Sequence, residues 1–162
     1  MKFLFFPLLL IILAACNQPK DNIKQLQVQI DSLQNRLNNS YEPGFSEFMS
    51  GVQMHHAKLW FAGNNNNWKL ADFQVHKIQG ALEAIQQFNT DRPEAKAIRM
   101  IYPAIDSVSN AIKQQNQQLF KSNFILLTNT CNTCHRATQY AFNVITIPAN
   151  PPISNQSFKP VD

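Results

Sequence analysis

Six residues towards the end of the chain, Phe120, Phe124, Leu127, Cys131, Cys134 and Thr138, are spaced four, three, four, three and four apart. That spacing returns side chains to one side of an α-helix. It does not suit a strand, whose faces alternate every two residues. Two cysteines are thereby placed on the inner seam of a helix, and the rest of the chain must supply apolar faces to cover them. With 4 glycines in 162 residues and no sustained alternating pattern, those faces also read as helical. The apolar content of 44% and charged content of 15% are ordinary for a folded domain.

Three further helices are legible. One runs over about 45–62, with Phe45, Met49, Val52, His56 and Leu59 on its inner stripe and Gly63 as the expected left-handed stop. A second covers 68–88, with Ala71, Val75, Ile78, Leu82 and Ile85 inward. Asp91-Arg92-Pro93-Glu94 reads as an N-cap Asp, a first-turn proline and a capping-box Glu. The helix it opens runs to about 114, is kinked or broken by Pro103, and carries Met100 as core filler. The cysteine helix begins near Asn116. Four amphipathic helices with short connections predict an all-α, antiparallel up-down-up-down four-helix bundle over 44–141. Pro148, Pro151, Pro152 and Pro160 exclude a long helix in 142–162, so an extended proline-rich tail is expected to lie across the bundle, with 142–147 as an extended segment.

The N-terminal part has a different character. Ile23, Leu26, Ile30, Leu33 and Leu37 repeat at heptad spacing among polar residues and read as a short coiled coil. Ile in the first and Leu in the second heptad position favours a parallel homodimer through 23–37, although so short a helix is marginal alone. Before it, Lys2 precedes an apolar run from Phe3 to Ala15, too short to span a membrane but suited to a secretory leader. The run ends Leu13-Ala14-Ala15-Cys16, which resembles the lipobox of bacterial lipoproteins. That resemblance implies removal of residues 1–15 and a diacylglycerol on Cys16, tethering residues 16–41 and the bundle to a membrane surface in the cell envelope. Neither leaflet is indicated by Asn17. Losing Lys2 with the leader leaves 13 Lys+Arg against 10 Asp+Glu, scattered without a basic run, so nucleic acid is not an expected partner.

Cys131-Asn132-Thr133-Cys134-His135 fits the signature for covalent attachment of haem c. Thiols three residues apart project from one face of a helix. They can therefore reach the two vinyl groups on one porphyrin edge, and the next residue, His135, can bring its imidazole to the iron. Attachment takes place outside the cytoplasm, which agrees with the leader. Two other uses of the pair fit less well. A thioredoxin-like CxxC sits at a helix N-terminus after a strand, whereas this one lies deep in a helix. A structural zinc site needs four ligands, and the remaining His55, His56 and His76 form no second pair.

A haem motif near the end of a fourth helix resembles the cytochrome c-prime and cytochrome b562 group of four-helix bundles, over about 45–141. The resemblance implies one covalent haem c, with Cys131 and Cys134 holding the macrocycle and His135 as proximal ligand. In an up-down bundle the start of the first helix faces the end of the fourth, which makes Met49 the expected sixth ligand and His56, two turns on, the fallback. A protein ligand there implies a one-electron carrier with a redox partner protein. An open sixth position implies a gas-binding protein. A haem-free interaction lipoprotein working through its coiled coil is the remaining reading. No constellation of catalytic acid, base or nucleophile is visible, so an enzyme is not expected.

Overall fold

The computed structural model describes residues 20–40 and 44–161. The leader and Cys16 lie outside the described residues. These form α1 (Lys20–Ser40), α2 (Phe45–Asn64), α3 (Trp68–Phe88), α4 (Pro93–Ala97), a 3-10 turn (Ile98–Ile101), α5 (Tyr102–Lys113) and α6 (Gln117–Ala137). There is no strand among the described residues, and the all-α expectation is met. The chain divides between Glu42 and Pro43 into two compact units. The first contains α1, whose seam residues Ile23, Leu26, Ile30, Leu33 and Leu37 are all exposed.

In the second unit α2 packs along α3, α5 along α6, α3 on α5, and α2 on α6. The expected stripe of α3 is buried at all five positions, Ala71, Val75, Ile78, Leu82 and Ile85. Phe120 and Phe124 of α6 are fully buried and meet α2 in order along its length. Phe124 lies 4.9 Å, centroid to centroid, from Trp60, and the Phe120 ring sits against Gly63. Trp68, at the start of α3, meets Phe120 edge-on at 6.1 Å.

Gly63 does not stop the first of these helices. It is buried inside α2, and a Cβ there would run into the Phe120 ring. The stop is Asn66, in the left-handed region at φ 56°. The Asn66 N–H donates to the Gly63 carbonyl, and the Asn67 N–H reaches back to that of Ala62. This pairing satisfies the last carbonyls of the helix. Gln115 (φ 51°) ends α5 and Gln139 (φ 66°) ends α6 in the same way. Asn67 and Asn116 then cap the next helices through their side chains, accepting from Leu70 N–H and Leu119 N–H.

Two other expectations are corrected. Arg92, not Asp91, is the N-cap of α4, and Glu94 turns to Arg92 instead of closing a capping box. Met100 is exposed rather than core, because the 3-10 turn buries Ile98 and Ile101 and rotates Met100 outward. Pro103 falls in the first turn of α5, where its missing N–H costs nothing. Beyond α6 the tail returns along this unit. The Phe158 ring is buried against Phe61 at 5.6 Å, and the Asn67 side-chain amide donates to the Lys159 carbonyl.

Candidate cofactor site

Between α2, α3 and α6 lies a cleft of about 230 Å³, partly open to solvent. Ordinary small-molecule pockets enclose roughly 300–1,000 Å³, so a large planar ligand would sit in it only in part, with an edge towards solvent. Met49, Val52 and His56 line it from α2, Ile78 and Leu82 from α3, and Leu127, Cys131, Cys134 and His135 from α6. Asn143 and Ile145 of the tail complete the wall. Met49, His56, Cys131, Cys134 and His135, the candidate haem residues read from the sequence, all line this one cleft, whereas His55 and His76 do not.

Both thiols are free, Cys134 buried and Cys131 half-buried. Burial, with Cys134 adding to it, pushes the Cys131 thiol up to about 12, and burial also raises Cys134. Catalytic redox pairs depend on lowered thiol pKa values, and neither of these thiols is lowered. Among the described residues no group of three or more His, Cys, Asp or Glu side chains is placed to hold a metal ion.

The His135 Nδ1 lies 2.6 Å from the carbonyl oxygen of Asn143. A carbonyl only accepts, so Nδ1 carries the proton, and the neutral ring keeps its lone pair on Nε2. This is the form in which an imidazole ligates a metal, with the second nitrogen held by an outer acceptor. The motif carries Asn132 next to Cys131, and its side chain is fastened to the backbone of Ile145.

His56 is buried, and its Nε2 lies 2.8 Å from the Thr128 hydroxyl. That hydroxyl already gives its proton to the Phe124 carbonyl at 2.9 Å, so His56 Nε2–H is the donor and Thr128 the acceptor. The ring also packs on Phe124, 4.4 Å between centroids. Its neighbour His55 is half-buried and bonded to the side chain of the buried Gln74 at 2.7 Å. Thr128, Gln74 and Asn132 were not singled out by sequence. Their polar pairings join distant parts of the chain and leave no periodic signal.

Burial lowers the His56 pKa from 6.5 to about 4. The folded state resists protonation of this ring while the unfolded chain accepts it. Stability is therefore whole above pH 6.5 and declines as the pH falls towards about 4. The full loss amounts to about 3 kcal/mol, at 1.36 kcal/mol per pKa unit. Urea unfolding of the haem-free chain at several pH values checks this, and His56→Gln is expected to flatten the decline.

Glu94, also on the cleft wall, is buried and paired with Arg92 at 3.0 Å. The hydrogen bond from Arg92 holds its carboxyl below the usual carboxylate range. Arg92 reaches the Tyr140 hydroxyl at 3.3 Å and covers the Phe45 ring, so this cluster ties α4 to the start of α2 and the end of α6.

The donor set suits a covalent haem. Two neutral thiols and an imidazole with a free Nε2 stand on one apolar cleft, and attachment needs thiols rather than converging carboxylates. Comparison with known proteins found no matching family model, curated protein or solved structure. Among the described residues no helix is long and apolar enough to cross a membrane.

Proposed function

We propose that this chain is a membrane-tethered monohaem c-type cytochrome, a one-electron carrier of the bacterial cell envelope built on an antiparallel four-helix bundle. The observation that carries the reading is the meeting of Cys131, Cys134 and His135 on one apolar cleft, with His135 protonated at Nδ1. The order of contacts between α2 and α6 supports the bundle: Gly63 with Phe120, Trp60 with Phe124 and His56 with Thr128. Cys131 and Cys134 would hold the haem through thioethers, and His135 would ligate its iron. When bound, haem supplies a metal that alternates between ferric and ferrous states.

The rest of the site excludes water and sets access. Val52, Ile78, Leu82 and Leu127 provide apolar walls, which favour the less charged reduced state. Continuing the α2–α6 progression by two turns brings Met49 level with His135, which supports Met49 as the sixth ligand. His56, the fallback, has its Nε2 committed to Thr128. The test is the visible spectrum of residues 17–162, made in a host that attaches haem c, before and after reduction. Sharp low-spin bands are expected. Broad high-spin bands that shift with carbon monoxide would instead mean a gas-binding protein, and no haem would refute the reading. Met49→Ala is expected to convert the low-spin spectrum to a high-spin one that binds carbon monoxide, and to lower the potential, since a thioether ligand raises it.

A lipid on Cys16 would place the protein on a membrane surface, with a redox partner protein taking the electron. The exposed seam of α1 supports a parallel homodimer through 23–37. Its flanking Gln27, Gln29 and Gln34 set no like charges against one another. With a length of about 31 Å from 21 residues, such a coil is weak in free solution. Anchoring two copies to one surface would raise their effective concentration. Sedimentation equilibrium of the full chain in detergent is expected to show a concentration-dependent dimer, abolished by Ile30→Asp.

A further inference from the structure

Asn132 is one of the two residues between the motif cysteines, where the attachment chemistry asks nothing of the side chain. Here that side chain faces the backbone of the tail. Its Nδ2 donates to the Ile145 carbonyl at 2.8 Å, and its Oδ1 accepts from the Ile145 N–H at 2.8 Å. One amide thus satisfies both backbone polar groups of one residue. Two residues earlier in the tail is Asn143, whose carbonyl accepts from His135 Nδ1.

Apolar burial accounts for only part of why the tail lies there. Ile145 is half-buried on the cleft wall and the Phe142 ring meets Tyr140 at 5.8 Å, but Phe142 is still 83% exposed and Val144 64% exposed, so the residues flanking Asn143 bury little. No helix or strand includes this segment. The Asn143 N–H returns to Tyr140, which shapes the turn out of α6 but does not fasten the tail beside His135. The fastening at that point is the paired bond from Asn132, one turn before His135 on the same helix.

We infer that Asn132 is a positioning residue. By gripping Ile145 it holds the Asn143 carbonyl on His135 Nδ1, which fixes the imidazole in one tautomer and keeps the Nε2 lone pair for a metal. An outer acceptor of this kind also makes the imidazole a stronger donor. The metal part of this inference rests on the haem reading above. The tautomer part stands on the protein alone.

The experiment has two arms on the full chain, wild type and Asn132→Ala. In the first, the haem-free chain in detergent is labelled with ¹⁵N at histidine, and NMR at a pH where the rings are neutral reports which nitrogen of His135 carries the proton. Wild type is expected to hold the Nδ1–H form. Asn132→Ala is expected to shift the tautomer ratio about tenfold towards Nε2–H, the scale of one lost hydrogen bond. The Ile145 amide should also exchange with solvent at least about fivefold faster. Asn132→Asp keeps the acceptor for the Ile145 N–H and should fall between the two. An unchanged tautomer ratio in Asn132→Ala overturns the inference.

In the second arm both chains are made with haem attached. With a weaker donor on the iron, the variant is expected to favour the ferrous state about tenfold more than wild type, ~59 mV for one electron. An unmoved potential would overturn the metal part, and joined to an unmoved tautomer ratio with faster exchange at Ile145 it would make Asn132 merely structural and overturn the whole. If neither chain takes up haem, the cytochrome reading fails, while the NMR arm still decides what Asn132 does to His135.

Discussion

Replacing Cys131 and Cys134 together by serine is expected to abolish covalent haem. In-gel haem staining after denaturation checks it: the wild-type band should stain and the double variant should fall to background. The expectation follows from the thiols, which are the two free cysteines on the cleft wall, three residues apart on α6. Either single serine variant would keep one thioether and so retain stain at reduced yield. Serine is close to cysteine in volume, and the cost of burying a hydroxyl at position 134 is about 1–3 kcal/mol, small enough for the helices still to pack. Circular dichroism of the variant is therefore expected to stay helical, which separates loss of attachment from loss of fold. Stain persisting in the double variant would place the attachment elsewhere. A wild-type chain without stain, whose two thiols resist alkylation until reduced, would point to a disulfide and an interaction lipoprotein.

The second large effect is structural. Phe120→Ala is expected to cost about 3–5 kcal/mol, the usual range for emptying a buried aromatic position. Phe120 is fully buried and lies among Trp60, Trp68 and Phe124, at 6.5, 6.1 and 5.9 Å between ring centroids. At about 4 °C per kcal/mol for a domain near this size, the melting temperature should fall by roughly 12–20 °C. Gly63 provides an internal control. Gly63→Ala alone forces a methyl into the Phe120 ring and should destabilise by about 1–3 kcal/mol, although alanine is the better helix former. In the Phe120→Ala background the same methyl enters vacated space and should be neutral or stabilising. A double-mutant cycle by thermal melting reads the change of sign. Simple additivity would mean that the two residues do not share this contact.

The same pair shows where reading a sequence stops. Periodicity located α3 because its apolar stripe is set by local helix geometry, and the proline at 103 marked a break because the rule it breaks is also local. Gly63 was misread for a physical reason. Its glycine is required by a ring from a helix more than fifty residues away, while the nearby left-handed stop is made by an asparagine. Met100 was misread because a 3-10 turn changes the residues per turn and so the outward face. At the cleft, the cysteines and His135 were legible because their fixed spacing on one helix is a pattern within the sequence itself. Thr128, Asn132 and Asn143 were not, since a hydrogen bond between segments that meet only in the folded chain leaves no mark on either segment.

The tail that supplies Asn143 and Ile145 to the cleft wall belongs to no helix or strand. A segment held by a few hydrogen bonds can lift away while packed helices stay in place. That wall is therefore expected to open at lower cost than the helical ones, uncovering the cysteine pair from one side without unfolding the unit.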